Sequence, residues 1–209
     1  MKIFQMQQGT PEWDRVRRGV VTASEIECLI TPLWKPRTGG GAETYLNQKL
    51  AEKLIVPDEA DDEIGGSPSY AADQGTILET LALPWFAFET GLDVQRVGFC
   101  LSDDGRIGCS PDGLIGEDAG IEVKSPQAKK HIAYLRAGGL PKEYAAQVHF
   151  SMLVTGRASW WFVSYSQSLP KLVVEVKRDE SIQEKLRDVV DDFLAMFDRE
   201  FSKLQEMAP

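Results

Sequence analysis

A proline–aspartate step followed by two charged residues on one strand constrains this chain more than any other feature. Asp112 follows Pro111, and about ten positions later residues 121–124 read Ile-Glu-Val-Lys, an alternation of apolar and charged side chains. Alternation of this kind predicts a β-strand, whose successive side chains point to opposite faces. Glu122 and Lys124 should therefore share one face, and the interval after Asp112 leaves room for one strand and a turn.

Glu122 and Lys124, with Asp112 from the preceding turn, suit metal-assisted chemistry on phosphate esters. Carboxylate oxygens hold hard divalent cations, and such a cation lowers the pKa of a bound water and stabilises charge on a phosphoryl oxygen. A lysine ammonium is a compact positive charge that can orient the water or stabilise the pentavalent phosphate. The alternative is structural, because Pro-Asp-Gly is a common turn and Glu-Val-Lys an ordinary amphipathic strand.

These residues resemble the Pro-Asp…(Asp/Glu)-x-Lys nuclease superfamily, and three further segments narrow the resemblance. Residues 13–25 resemble the N-terminal signature of the phage-type alkaline exonucleases, the lambda exonuclease or YqaJ-like viral recombinase family. Residues 75–79 resemble that family's Gly-x-x-x-Glu helix, and residues 144–152 its glutamine-bearing helix. The segments follow the family's order as far as the strand at residues 160–162. The resemblance implies one exonuclease domain over residues 1–209 with a restriction-endonuclease-like α/β core, a central mixed β-sheet flanked by helices.

The same resemblance assigns roles around the metal. It implies that Asp112 and Glu122 bind magnesium, with manganese as an alternative, and that the Val123 carbonyl is a third ligand. Two ions about 4 Å apart would stabilise the attacking and leaving oxygens, and Lys124 would position the water. Glu79 would hold the water or the second ion, although a solvated helix glutamate is the alternative for this residue.

Gln147 would hydrogen-bond Lys124 or the water, and Tyr144 lies three residues before it on the same helix face. A polar side chain satisfied at a helix–sheet boundary is the alternative for Gln147. We place Tyr144 among the residues that contact DNA.

A second group of residues resembles the family's pocket for a 5′-terminal phosphate. Arg17 can bind phosphate bidentately, and Thr22 and Ser24 lie at a predicted helix start, where hydroxyl and backbone N–H groups collect. A surface ion pair is the alternative for Arg17. Lys35 and Arg37 lie with Trp34 in a separate Gly/Pro-rich loop at residues 32–41, where an aromatic ring can stack on bases while basic side chains follow the DNA backbone.

Local patterns predict the order of helices and strands. Thr10 and Pro11 are typical of a helix start, and Asp103-Asp104-Gly105 is typical of a hairpin turn between two strands. Pro84 is expected to kink or break a helix over residues 75–90. The remaining predictions are helices at 22–30, 44–54 and 141–155, an acidic loop at 56–69, strands at 97–101, 107–109, 121–124, 159–165 and 172–177, and a C-terminal helical stripe from Ile182 to Leu204.

Charge is distributed unevenly along the chain. The net charge is -9, yet residues 51–118 alone carry 15 acidic and 3 basic side chains, whereas residues 1–50 and 119–160 are net basic. A local basic surface can bind phosphate while an acidic exterior keeps a protein soluble. The alternative, that the overall charge disfavours nucleic acid, is outweighed by the motifs.

The cysteines and the apolar residues indicate the cellular compartment in which the protein works. Cys28, Cys100 and Cys109 are three in number and unclustered, which predicts free thiols and argues against a four-cysteine iron–sulfur cluster. No apolar run approaches the roughly 20 residues that span a bilayer. We therefore expect a cytoplasmic protein without a membrane segment.

The function implied by the resemblance is a metal-dependent 5′-to-3′ exonuclease acting on double-stranded DNA ends. Its product would be 3′ single-stranded DNA for recombination by strand annealing, with a single-strand annealing protein as partner and a homotrimeric ring as the assembly. Two alternatives stay open from the residues, namely a sequence-specific endonuclease of the same superfamily and a catalytically inactive DNA-end-binding module.

Overall fold

The structure is a computed structural model that describes residues 1–55 and 81–207. In the N-terminal part it contains β1 (Lys2–Phe4), α1 (Pro11–Arg17), β2 (Val21–Thr22), a 3-10 helix (Ala23–Cys28) and α2 (Gly40–Leu54). A helix at residues 81–90, α3, opens the second part. It is followed by β3 (Phe99–Leu101), β4 (Ile107–Cys109), β5 (Gly113–Ile115), β6 (Ala119–Lys124), α4 (Ala128–Ala137), α5 (Lys142–Thr155), β7 (Ser159–Ser164), β8 (Leu172–Lys177) and α6 (Glu180–Met207).

The strands of the described residues form two mixed sheets of four strands each. The first has the order β1-β3-β4-β2, in which β3 and β4 form the predicted hairpin with Cys100 opposite Cys109. The second has the order β5-β6-β7-β8, in which β6 and β7 are parallel and the outer pairs antiparallel. The predicted α/β class with mixed sheet and flanking helices is confirmed, and the strands divide between two sheets because α5 lies between them.

Helix α5 lies at the centre of the molecule. It packs against β3 and β4 of the first sheet, β7 of the second, the 3-10 helix and α6. Its residues from Val148 to Met152 are all buried, so no side of the helix faces solvent along this stretch. A helix that is buried on all sides is typical of a position inside the core.

Two apolar clusters stabilise the layers. The larger joins α5 to the stripe of α6, where Leu186, Val190 and Phe193 are buried as the helical spacing predicts. The smaller joins α3 to the second sheet through Phe86 and Val123. Full burial of one such side chain contributes roughly 1.5–3 kcal/mol, so β6 is fixed from the α3 side as well as by its strand neighbours.

Several local predictions can be compared with the structure. Thr10 caps α1 with its side chain accepting from Trp13 N–H, as expected. The helix predicted after Thr22 is a 3-10 helix, and Thr22 makes no side-chain cap bond there. Residues 81–90 are helical without interruption, so of the kink or break expected at Pro84 the break is absent. The acidic loop at 56–69 and the start of the helix at 75, with Glu79, lie outside the described residues.

Within the described residues, no helix combines the length and the apolar character needed to cross a membrane. Cys28, Cys100 and Cys109 carry free thiols.

Candidate active site

Asp112 is held at the edge of the second sheet by the strand that carries the other charged residues. It comes directly before β5, and its N–H donates to the Ile121 carbonyl at 3.2 Å. Its Oδ2 accepts a hydrogen bond from the Val123 N–H at 2.6 Å. The turn at Pro111 and the pairing of β5 with β6 therefore bring the aspartate beside Glu122, as the spacing predicted.

Glu122 is the centre of a compact polar group. The residue is only 3% exposed, and its Oε1 lies 2.6 Å from Lys124 Nζ. The same oxygen accepts a hydrogen bond from Gln147 Nε2 at 2.7 Å. Lys124 thus lies on the same face of β6 as Glu122, and Gln147 of α5 reaches the carboxylate directly. A buried carboxylate with two such partners keeps one orientation.

Asp112, Glu122, Lys124 and Gln147 line a cleft of about 230 Å³, here called the catalytic cleft. Its oxygen donors fit a hard cation. In an extended strand the N–H and C=O of one residue point the same way, so the Val123 carbonyl faces the side on which its N–H meets Asp112.

Within residues 1–55 and 81–207 no group of three or more His, Cys, Asp or Glu could hold a metal. Glu79, predicted to contribute a third carboxylate, lies outside the described residues.

Arg17 enters the same cleft from α1. Its Nη1 donates to Ser110 Oγ at 3.2 Å and its Nη2 to Ser24 Oγ at 3.5 Å. Its guanidinium carbon lies 3.9 Å from the centre of the Trp13 ring. Burial lowers the pKa of Arg17, although nearby acidic groups such as Glu25 oppose the shift.

The Arg17 guanidinium donates its side-chain hydrogen bonds to the neutral hydroxyls of Ser110 and Ser24. A partly buried cation in such surroundings favours an anionic ligand. The neighbouring Arg18 does not line the catalytic cleft.

The two hydroxyl residues predicted beside Arg17 have different positions. Ser24 is exposed and lines the catalytic cleft. Thr22 is 1% exposed, lies outside the cleft lining, and donates its hydroxyl to Glu25 Oε2 at 2.7 Å. Thr22 therefore lies beneath the catalytic cleft, where its hydroxyl orients the Glu25 carboxylate.

A buried ionic network supports this segment and was not foreseen from the sequence. Lys49 of α2 is 3% exposed and pairs with Glu25 and Glu52, each at 2.9 Å. Glu52 also accepts the backbone N–H of Gly19 at 2.9 Å. Burial acts to raise the pKa of Glu25, but the Lys49 charge and the Thr22 hydrogen bond outweigh it and lower that pKa. The network ties α2 to both sides of the strand β2.

The remaining DNA candidates lie away from the catalytic cleft. Lys35 is exposed. Arg37 Nε donates to the Glu27 carbonyl at 2.5 Å and lines a separate cavity of about 40 Å³ with Trp34. Trp34 is half-buried and meets the His149 ring edge-on at 5.5 Å between centroids, so it packs inward instead of presenting a free face.

Tyr144 stacks on Phe162 with 5.3 Å between ring centroids. It lies one turn before Gln147 on α5, which confirms that the two share a helix face. Its ring lines a neighbouring pocket together with Gln147.

Several lining residues of the catalytic cleft carried no separate signal in the sequence. Trp13 Nε1 donates to Ser110 Oγ at 3.0 Å, and Gln8 Nε2 donates to the Pro111 carbonyl at 2.9 Å. Ser110 adjoins the Pro-Asp step, so its position could have been inferred from the motif. Gln8 and Ser151 reach the cleft only through tertiary packing.

Comparison with known proteins agrees with this geometry. The fold matches the alkaline exonuclease LHK-Exo from Laribacter hongkongensis with a TM-score of 0.82 and 29% identity, covering 95% of this chain and 97% of the other. The structure of LHK-Exo in complex with dAMP matches equally well, with a TM-score of 0.82 and 29% identity over the same 95% and 97% shares. No functionally curated protein matches the chain.

A phage-related exonuclease from Haemophilus somnus 129PT shares the fold, with a TM-score of 0.64 and 14% identity over 88% of this chain and 96% of the other. The family model for the YqaJ-like viral recombinase domain matches residues 12–158, which include Arg17, Asp112, Glu122, Lys124 and Gln147. The chain belongs to the YqaJ-like viral recombinase domain family.

Proposed function

We propose that this protein is a metal-dependent exonuclease that digests one strand of double-stranded DNA in the 5′-to-3′ direction. The observation that carries the proposal is the catalytic cleft itself, where the Arg17 guanidinium and the Asp112–Glu122–Lys124 group line one space. An anion site beside a metal site suits a strand end with a free 5′ phosphate and a scissile phosphodiester bond one nucleotide away. The similarity to LHK-Exo supports the same assignment.

In the proposed reaction Asp112 and Glu122 would hold Mg²⁺ or Mn²⁺ together with the Val123 carbonyl. An ion bound there would supply a water of lowered pKa and positive charge beside the phosphoryl oxygens. Lys124 lies 2.6 Å from Glu122 and adds a second positive charge where negative charge develops. Gln147 fixes the Glu122 carboxylate, and Glu79 holds the water or a second ion.

Arg17 and Ser24 bind the 5′-terminal phosphate in this proposal. Two N–H donors of Arg17 already point at hydroxyls of Ser24 and Ser110, so a phosphate can replace or join these partners without moving the guanidinium. Fixing the terminal phosphate sets which bond reaches the carboxylates, which gives the enzyme its polarity. Lys35, Arg37 and Tyr144 contact DNA further from the reacting bond.

Membership of a viral recombinase domain family supports a role in DNA recombination. Removing one strand from a duplex end leaves 3′ single-stranded DNA, the substrate of recombination by strand annealing. We therefore propose a single-strand annealing protein as partner and a homotrimeric ring as the working assembly.

The test is digestion of a linear duplex labelled at one 5′ end, in magnesium and in chelator. The expected result in magnesium is labelled mononucleotide as the first product, with no product in chelator. Discrete internal fragments would assign an endonuclease instead. End binding without any product would assign an inactive binding module.

A further inference from the structure

We propose that the buried hydroxyl of Thr22 sets the direction in which Ser24 hydrogen-bonds, and that it thereby weakens the site for the 5′-terminal phosphate. Thr22 is 1% exposed and lies beneath the catalytic cleft, whereas Ser24 is exposed and lines it. Thr22 is therefore a positioning residue that acts through Ser24 without touching DNA. This inference rests on the proposed exonuclease function and concerns the specificity of its phosphate site.

The proton of the Thr22 hydroxyl is held by Glu25. Thr22 Oγ1 lies 2.7 Å from Glu25 Oε2, and an ionised carboxylate carries no proton and only accepts hydrogen bonds. Burial acts to raise the pKa of Glu25, but the Lys49 charge outweighs it and keeps the carboxylate ionised. Lys49 is 3% exposed and lies 2.9 Å from the same carboxylate oxygen, so this acceptor keeps its position under Thr22.

The direction of the next hydrogen bond follows from the number of protons. A hydroxyl group has one proton and two lone pairs, and the single proton of Thr22 lies toward Glu25. Ser24 Oγ lies 3.3 Å from Thr22 Oγ1, so Ser24 is the donor in this contact. The lone pairs of Ser24 then face the Arg17 guanidinium, whose Nη2 donates to Ser24 Oγ at 3.5 Å. A chain of donors therefore runs from Arg17 through Ser24 and Thr22 to Glu25.

This direction is unfavourable for a bound phosphate. The terminal oxygens of a phosphate dianion are acceptors, so Ser24 can hydrogen-bond to them only by turning its O–H away from Thr22. The Thr22 oxygen then stays buried without its donor, which costs free energy. A 5′-hydroxyl end meets no such cost, because it can donate to the lone pairs of Ser24. Thr22 therefore reduces the difference between phosphorylated and unphosphorylated ends.

The test compares kcat/KM for release of the first nucleotide from two duplexes, which differ only in a 5′-phosphate or a 5′-hydroxyl on the cut strand. Thr22→Val keeps the branched shape of the side chain and removes its oxygen, so Ser24 can donate to phosphate at no cost to a buried partner. The ratio of the two values, phosphorylated over unphosphorylated, should rise about tenfold in Thr22→Val, the effect of one hydrogen bond to a charged group. Thr22→Ser keeps the oxygen as a matched control and should retain the wild-type ratio.

Ser24→Ala shows whether Thr22 acts through Ser24. In the Ser24→Ala background Thr22→Val should leave the ratio unchanged, because the hydroxyl that would turn is gone. An equal rise with and without Ser24 would overturn the inference, as would a wild-type ratio in Thr22→Val. If Thr22→Val does not fold, Thr22→Ala removes the same oxygen and carries the same expectation. Absence of digestion of either duplex by the wild type would overturn the exonuclease function together with this inference.

Discussion

Asp112 is the residue at which fold and proposed catalysis can be separated most cleanly. Its Oδ2 accepts the Val123 N–H at 2.6 Å, and an asparagine oxygen can accept the same bond. Asp112→Asn should therefore fold and bind duplex ends but lose cleavage, because an amide is a neutral and weaker ligand for a hard cation. Turnover in magnesium and end binding in chelator provide the two readouts. Steady cleavage by a folded Asp112→Asn protein would remove Asp112 from the metal site.

Arg17 should determine the response to the terminal phosphate. Arg17→Ala should slow digestion of 5′-phosphorylated ends far more than of 5′-hydroxyl ends, because only the phosphate gains from the guanidinium. The measurement is the ratio of these two rates in the wild type and the variant. Arg15 lies on the same helix and is exposed, so Arg15→Ala is the matched control. An Arg17→Ala protein with the wild-type ratio would contradict the phosphate site.

Sequence reasoning predicted the relative positions of those residues that lie close together along the chain or on adjacent strands. Glu122 and Lys124 share a face because they lie two apart on a strand, and Asp112 reaches them because β5 and β6 pair. The direction of the Thr22 hydroxyl depends on Glu25 and Lys49, which come together only in the folded chain. No pattern along the chain contains that information.

At the scale of elements, the Glu25–Lys49–Glu52 network should link stability to pH. The pKa of Glu25 is lowered in the folded protein despite burial, because of Lys49 and Thr22. A carboxylate with a depressed folded-state pKa contributes stability that is present above its unfolded pKa, about 4.3, and is lost as the pH falls through the folded value.

Lys49→Met should remove this contribution and lower stability near neutral pH by about 3 kcal/mol, since it leaves two partly buried carboxylates unpaired. The measurement is urea unfolding of both proteins at several pH values from about 7 to 3. The difference between the two should shrink toward acid pH. A constant difference would show that Lys49 acts through packing alone. Lys53→Met changes an exposed lysine of the same helix and serves as control.

Element types were predictable where periodicity is strong, as in α6 and the β3–β4 hairpin. Two features could not be predicted, because tertiary contacts decide both. They are the 3-10 form of the segment after Thr22 and the continuity of the helix at Pro84. The division into two sheets also escaped prediction, because nothing in the sequence of residues 148–152 shows that α5 contacts a sheet on each side.

At the scale of the whole molecule, we expect a closed trimer that admits duplex and releases a single strand. Residues 1–50 and 119–160 carry a basic excess, whereas residues 51–118 carry an acidic excess. A ring could direct the basic segments toward DNA and the acidic segment toward solvent. Light scattering should give three times the chain mass of 23.3 kDa. Digestion of a long duplex should continue after unlabelled competitor is added, and entry should be more salt-sensitive than progress. A monomeric mass with immediate arrest by competitor would contradict the ring.

The central position of α5 has a consequence for how the protein loses activity on heating. The helix that carries Gln147, and so orients Glu122, is also the helix on which both sheets pack. The catalytic cleft therefore cannot loosen by a local opening that leaves the core intact, as a site built on surface loops can. Heat inactivation should coincide with the loss of near-ultraviolet circular dichroism, and amide hydrogens in the middle of α5 should exchange only through global unfolding.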